Sequence, residues 1–450
     1  MNGLKAARTA RGWSQARVIH EMQRHAAAAG VPIASPDSLK TQLSRWENGH
    51  RMPDAVHRQI LRAVFGMTDD QLGFTSPAGN TTDHVVGLVF PDNWQAGITS
   101  AADLWQGDMD RRDFLRGSAF VSAAFSTPVL HFLVSGDDSS PASDVGNRLV
   151  GQPDVDSIRE MTRAFRTLDN RHGGGCVRET VVRYLHAEVA PLLRDGRFTA
   201  SVGAALFSAT AELTQLAGWM AYDVGRNGLS QRYLVQALNL AKAGGDRSLG
   251  AEVLAAMSHQ ATYLGDGAEA VHLARAAGRT AEQVGVQALA AEAAVMEAHG
   301  HARRGDEASC AKALSRAEAT LDRADRAGEP QWMTYFDEAY LAAKFGHCFR
   351  DLGQPAQAER FARRSLDMDN SYVRGRAFNL ALLAHSHAQQ GDVEQACAVG
   401  LEAVDVTAEL NSARAVQYLA DLRAQLKPYE GAPAITQLDE RLQPLLGAAA

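Results

Sequence analysis

Five glycines, Gly225, Gly265, Gly305, Gly353 and Gly391, recur at spacings of 40, 40, 48 and 38 residues, and no other feature of the chain constrains its fold as strongly. Seven residues before them stand Gly218, Ser258, Ala298, Gly346 and Ala384. Five residues after come Ser230, Ala270, Cys310, Ala358 and Ala396, and twelve after come Ala237, Ala277, Ala317, Ser365 and Ala403. All fifteen are small. Small residues at these offsets let two antiparallel helices approach closely across a tight turn. A repeat of 20–50 residues signals stacked units that bury their apolar faces only against their neighbours. From about residue 154 the chain reads as consecutive amphipathic helices broken by Gly-Asp, Asp-Gly or Gly-Gln turns. The expected fold is all-α: a C-terminal α-solenoid over residues 151–450, Gly196 marking an irregular first unit and a helix near 434–446 capping the array.

Over about residues 200–410 this pattern resembles the tetratricopeptide repeat, with units longer than that family's usual length. Six residues before the turn glycines lies a second row: Trp219, His259, His299, His347 and His385. In tetratricopeptide arrays this offset tends to face the concave groove. Glu212, Glu252 and Glu292 stand thirteen before the first three glycines, and Tyr222 and Thr262 three before the first two. Trp219, Tyr222, His259, His299, His347 and His385 are thus candidate ligand-binding residues for a peptide or small polar molecule, with imidazoles that would titrate near pH 6–7. The same row is also consistent with each His bonding to the next repeat and stabilising the stack. A shared metal site is not expected, because successive repeats hold the imidazoles about a helix pair apart, with helices packing at ~8–10 Å.

Charge is distributed unevenly. The chain carries −7 overall, yet residues 1–65 hold ten Lys and Arg against four acids, leaving −13 for the remainder. A small basic head on a large acidic body suits a polyanionic partner for the head alone. The head reads as short helices: residues 4–12 stopped at Gly12, a second capped by Ser14 and running to about Ala29, a third from Leu39 to Glu47 capped by Ser38, and a fourth after Pro53.

The strings Arg-Gly-Trp-Ser-Gln (11–15) and Leu-Ser-Arg-Trp-Glu-Asn-Gly (43–49) resemble the XRE, or Cro/CI-type, helix-turn-helix family over about 65 residues. The resemblance implies that the helix ending in Trp-Glu-Asn-Gly enters the major groove of double-stranded DNA. It places Lys40, Thr41, Gln42 and Arg45 on the base-facing surface, where Lys and Arg donate to guanine and Gln pairs with adenine. It places Gln15, Asn48 and Arg51 on phosphates, and pairs Arg8 with Glu47. An insertion of roughly a dozen residues, around His25 to Pro36, separates this chain from the usual family spacing.

Residues 1–74 are therefore expected to be a DNA-binding domain, and residues 75–150 a linker. Within that linker, Asp110-Arg111-Arg112-Asp113-Phe114-Leu115-Arg116 precedes an apolar run to Val134. The arginine pair resembles a twin-arginine export signal, but it sits far from the N-terminus and the run contains Pro128 and His131. The expectation for 111–134 is an apolar helix packed on the repeats, with no stable membrane insertion. The four isolated cysteines read as reduced, buried thiols, and residues 1–15 lack an apolar signal core, which points to the cytoplasm. Gly-x-Ser-x-Gly and phosphate-loop patterns are absent, so neither enzyme activity nor a cofactor is expected. In layout the chain is similar to actinobacterial XRE regulators with a tetratricopeptide-like domain and to the RRNPP quorum-sensing receptors. This implies a homodimeric, ligand-responsive transcription regulator. A DNA-tethered scaffold that docks another protein on its repeats is the alternative.

Overall fold

The computed structural model describes residues 3–28, 36–47, 53, 55–65, 67, 72, 86–110, 119–134 and 141–449. The chain divides into two compact units, residues 1–85 and 86–450. Both are built from helices.

The first unit holds α1 (Gly3–Ala10), α2 (Gln15–Ala28), α3 (Pro36–Glu47) and α4 (Ala55–Phe65). Leu4, Val18, Met22, Leu39, Leu43, Trp46, Leu61 and Phe65 form its core. Ser14 caps α2 as its position predicts, its hydroxyl accepting from the Arg17 N–H at 3.2 Å. Ser38, by contrast, is no cap. α3 already begins at Pro36, whose ring fixes φ at a helical value and whose missing N–H is no loss in the first turn. The Ser38 hydroxyl accepts instead from the Gln42 side chain at 3.3 Å.

The second unit opens with α5 (Trp94–Asp110), a 3₁₀ turn (Ser122–Phe125), α6 (Ser126–Val134), α7 (Gln152–His172), and α8 (Gly174–Tyr184), which continues through a π turn into α9 (Ala190–Arg194). A minimal parallel pairing of Arg148–Leu149 with Gly196–Arg197 ties the chain just before α7 to the chain just before the repeats. Five helical hairpins then stack: α10 (Ala200–Asp223) with α11 (Asn227–Ala243), α12 (Arg247–Tyr263) with α13 (Gly267–Val284), α14 (Gln287–Arg303) with α15 (Glu307–Leu321), α16 (Glu338–Asp351) with α17 (Pro355–Ser365), and α18 (Val373–Gln390) with α19 (Val393–Ala408). A sixth hairpin, α20 (Ala413–Gln425) and α21 (Pro433–Ala449), ends the array.

Each periodic glycine sits at the bend of its hairpin with φ between +69° and +92°, a left-handed conformation that strains any side chain. At Gly265 the following residue closes the turn: the Asp266 N–H reaches back to the Ala261 carbonyl at 2.9 Å, and the Asp266 carboxylate accepts from the Glu269 N–H at 3.0 Å. One Gly-Asp pair therefore ends one helix and starts the next; Gly305-Asp306 and Gly391-Asp392 do the same. The fifteen small residues are all buried, and the Ser258 hydroxyl donates across a hairpin to the Ala270 carbonyl at 2.8 Å.

The array also closes on itself. The Arg374 guanidinium of α18 donates to Asp169 of α7 at 2.7 Å across 205 residues of sequence. The Gly175 N–H donates to the Asn411 carbonyl at 2.9 Å, and the Asn411 N–H to the His172 carbonyl at 2.8 Å. The helices that precede the repeats thus meet those that end them.

Part of the expected linker belongs to this unit. Asp108 of α5 accepts both guanidinium nitrogens of Arg178 at 2.6 and 3.1 Å and the Tyr233 hydroxyl at 2.8 Å, all three side chains buried. Gln236 donates to the carbonyls of Gly87 and Val89 at 2.9 and 2.8 Å. The twin arginines 111–112 lie outside the described residues. Of the apolar run, helix occupies only 126–134. Phe132 is buried there so tightly against Gly250 that a Cβ on that glycine would stand 2.2 Å from the ring, while Leu130 and Val134 are exposed. Among the described residues no helix is long and apolar enough to cross a membrane. Cys176 is exposed, and Cys310, Cys348 and Cys397 are buried.

Candidate functional site

The inner side of the array holds a cavity of about 200 Å³. Its wall comes from the first helix of each repeat, from α7, from the segment before α16, and from α20. Of the residues singled out in the sequence, Trp219, His259 and His347 line it, together with Glu252 and Glu292. Tyr222, His299 and His385 do not.

The imidazole row is continuous but serves two purposes. Trp219 stacks on His259 with centroids 5.2 Å apart, and His299 stacks on His347 at 5.7 Å. His299 is fastened to the next repeat through Asp351 at 3.2 Å. His385 is held by Gln425 at 2.7 Å and by the Tyr418 carbonyl at 3.1 Å. These two bind repeat to repeat. His259 and His347 face the cavity, and the Nδ1 of each lacks a hydrogen-bond partner. Burial, reinforced by neighbouring cations, drops both well below the ordinary imidazole range. They therefore stay neutral where an exposed histidine would titrate, so the expected sensitivity near pH 6–7 does not come from this row.

A cation takes that place. Lys344 of α16 is 5 % exposed and lines the cavity. Burial, then the neighbouring Arg414 guanidinium, lowers its ammonium to about 7, against a weaker pull upward from Glu292. It has a ring contact with Tyr340, the ammonium 5.2 Å from the centroid, but among the described residues no hydrogen bond and no carboxylate within 4 Å. Arg414, from α20, is boxed by Tyr222, Phe378, Tyr263 and Trp219 at 4.0–5.6 Å from the ring centroids. Its Nε and Nη1 have no hydrogen-bond partner, and Asp223 stands 4.0 Å away.

Opposite charge is concentrated on Glu252 and Glu292. The Tyr335 hydroxyl lies 2.9 Å from one oxygen of Glu252 and from both oxygens of Glu292. Gln215 donates to Glu252 at 3.2 Å, leaving Glu252 Oε2 unpartnered. Burial and then the repulsion of Glu252 raise Glu292 well above the usual carboxylate range. The second ionisation of the pair is therefore harder than that of a free carboxylate. A folded-state value above the unfolded one makes the folded protein the stronger proton binder, so this contribution to stability falls as pH rises from about 4.5. Glu292→Gln keeps the shape and removes the charge. It is expected to melt higher than the wild type at about pH 8 and to match it near pH 4.5. A lower melting temperature at pH 8 would show that the second charge is needed.

Sequence reasoning missed Lys344, Arg414, Tyr335 and Arg374. Two of them carried a signal. Nine residues before the turn glycines the chain has Leu216, Ala256, Met296, Lys344 and Leu382, so Lys344 interrupts an apolar column. Tyr335 belongs to the segment that makes one spacing 48 rather than 40, where extra residues fold into 3₁₀ turns (Arg326–Gly328 and Gln331–Tyr335), the second of which brings Tyr335 to the cavity. Arg374 and Arg414 lie outside the repeat offsets considered.

In the first unit, Lys40 and Arg45 of α3 are exposed, and Gln42 is half-buried. Leu39, Leu43 and Trp46 face the core. Glu47 is pinned by the Arg8 guanidinium at 2.5 and 3.1 Å and by Gln15 Nε2 at 2.8 Å. Gln15 is therefore engaged with α3 rather than left free at the surface. The side chain of Thr41, and Asn48 and Arg51 entirely, lie outside the described residues. Among those residues no group of His, Cys, Asp and Glu is arranged to hold a metal ion.

No protein-family model matches the chain, and no curated protein matches it.

Proposed function

We propose that the chain is a sequence-specific DNA-binding regulator, homodimeric on a two-fold operator, whose helical repeats sense a small molecule and shift the placement of the paired heads. The observation that carries this reading is α3. One face of that helix is anchored by Leu39, Leu43, Trp46 and the Arg8–Glu47–Gln15 bonds, while Lys40 and Arg45 are exposed. A recognition helix needs both, a rigid seat and cationic donors free to reach base edges. A cavity of about 200 Å³ walled by buried side chains supports a small molecule as the signal. A ligand that binds one arrangement of the repeats better than another shifts the population toward it by that difference in affinity.

Genome-wide mapping of bound DNA in the native host yields the operator. Titration of that operator at fixed salt then compares the wild type with the double variant Gln42→Ala/Arg45→Ala. With each base contact worth about 1–3 kcal/mol, the variant is expected to bind on the order of 100-fold more weakly while its non-specific binding changes little. Unchanged specific affinity would remove α3 as the reading helix.

A further inference from the structure

We propose that the cavity takes a small aromatic carboxylate, its anionic group held between Lys344 and Arg414 and its flat body against Trp219, Phe378 and Tyr418. The proposal rests on the reading of the repeats as the sensing part of the protein and names what they sense.

The cationic end is a built site. Lys344 and Arg414 are buried, come from helices far apart in sequence, and are close enough for the guanidinium to repel the ammonium. Among the described residues neither has a hydrogen-bonded carboxylate: Lys344 has none within 4 Å, and Arg414 has Asp223 only at 4.0 Å. Burying two cations without hydrogen-bonded carboxylates costs stability unless something compensates. Asp223 cannot turn fully toward Arg414, because it already accepts from the Gly174 N–H and the Ser412 hydroxyl at 2.9 Å each and stands 3.6 Å from Arg374. An external carboxylate supplies the missing acceptor, with charge-assisted bonds from both cations.

The rest of the cavity sets the body of the ligand. Phe378 and Tyr418 pack at 5.0 Å, the Arg414 guanidinium lies 4.8 Å from the Phe378 centroid and 5.6 Å from Trp219, and all three rings line the cavity. Such a wall suits a planar π-system. Its volume of about 200 Å³ exceeds the ~150 Å³ that admits benzene, so one ring system and a short acidic arm fit. At the opposite side the unpartnered Glu252 Oε2 can accept from a ring N–H or hydroxyl.

The test is calorimetric titration of the full chain, without DNA, with three acids and their uncharged amides: indole-3-acetate, 4-hydroxyphenylacetate and 3-phenylpropanoate. At least one acid is expected to bind at least about tenfold more tightly than its amide. In Lys344→Met that preference is expected to vanish while the protein stays folded by its melting curve. If Lys344→Met does not fold, Lys344→Gln carries the same comparison. The proposal is overturned if no acid binds at millimolar concentration, if acid and amide bind alike, or if the preference survives loss of the ammonium. The DNA titration reports separately, so loss of operator binding in the double variant with no acid binding sinks only the ligand class. Acid binding without any operator sinks only the regulator reading.

Discussion

Asp108→Ala is expected to destabilise the second unit by about 3–5 kcal/mol, the range for stranding one member of a buried ion pair. The carboxylate accepts two bonds from the Arg178 guanidinium and one from the Tyr233 hydroxyl, and all three side chains are buried. Truncation leaves a guanidinium and a phenol in the interior with no acceptor. Thermal unfolding read by circular dichroism tests this. The variant should melt several degrees lower, and the double variant Asp108→Leu/Arg178→Met should recover much of the loss, because an apolar pair needs no partners. A single variant that melts within about 2 °C of the wild type would mean that α5 is not integral to the repeat unit.

Lys344→Met should move stability in the opposite direction. An ammonium lowered from 10.5 to about 7 reflects a burial penalty on the order of 5 kcal/mol when the group is charged. Relaxation and the lost attraction of Glu292 reduce what methionine recovers, so a gain of roughly 1–4 kcal/mol is expected. The pH dependence follows from the direction of the shift. Below about pH 7 both folded and unfolded chains hold the proton, and the penalty is complete. Between pH 7 and 10.5 the unfolded chain binds more protons than the folded one, so wild-type stability rises with pH. The advantage of the variant is therefore largest at or below pH 7 and shrinks above it. Melting curves at about pH 6.5 and 9 decide the point: a destabilised variant, or an advantage that grows with pH, would show that the ammonium is a structural partner. Stability gained by deleting a buried group is what a binding residue held against folding should show.

The repeat and the head were legible for a local reason. A hairpin bend with positive φ needs glycine, close helix contact needs small residues, and both requirements act within one unit, so they recur in sequence at Gly225, Gly265, Gly305, Gly353 and Gly391. The His row was legible as a row, since a fixed offset from the turn fixes a face of the helix. Its role was not, because whether an imidazole bonds to the next repeat or faces a cavity depends on what stands opposite: the Nε2 of His299 meets Asp351, while His259 and His347 line the cavity. Residues 94–110 looked like linker because their mixed Gly, Thr and Asp content carries little periodicity. Their helix is held by Arg178 and Tyr233, which sequence does not bring near.

By itself, then, the sequence determined an all-helical chain of stacked hairpins, where each hairpin bends, and which residues line up along the concave side. Only the tertiary structure decided that the array closes. In a solenoid each unit touches its neighbours alone, and small rotations accumulate from repeat to repeat. No local pattern records the point at which α7 meets α18 through Asp169 and Arg374. That closure carries Arg414 across to Trp219 and Lys344, and turns a row of side chains into a cavity with two buried cations.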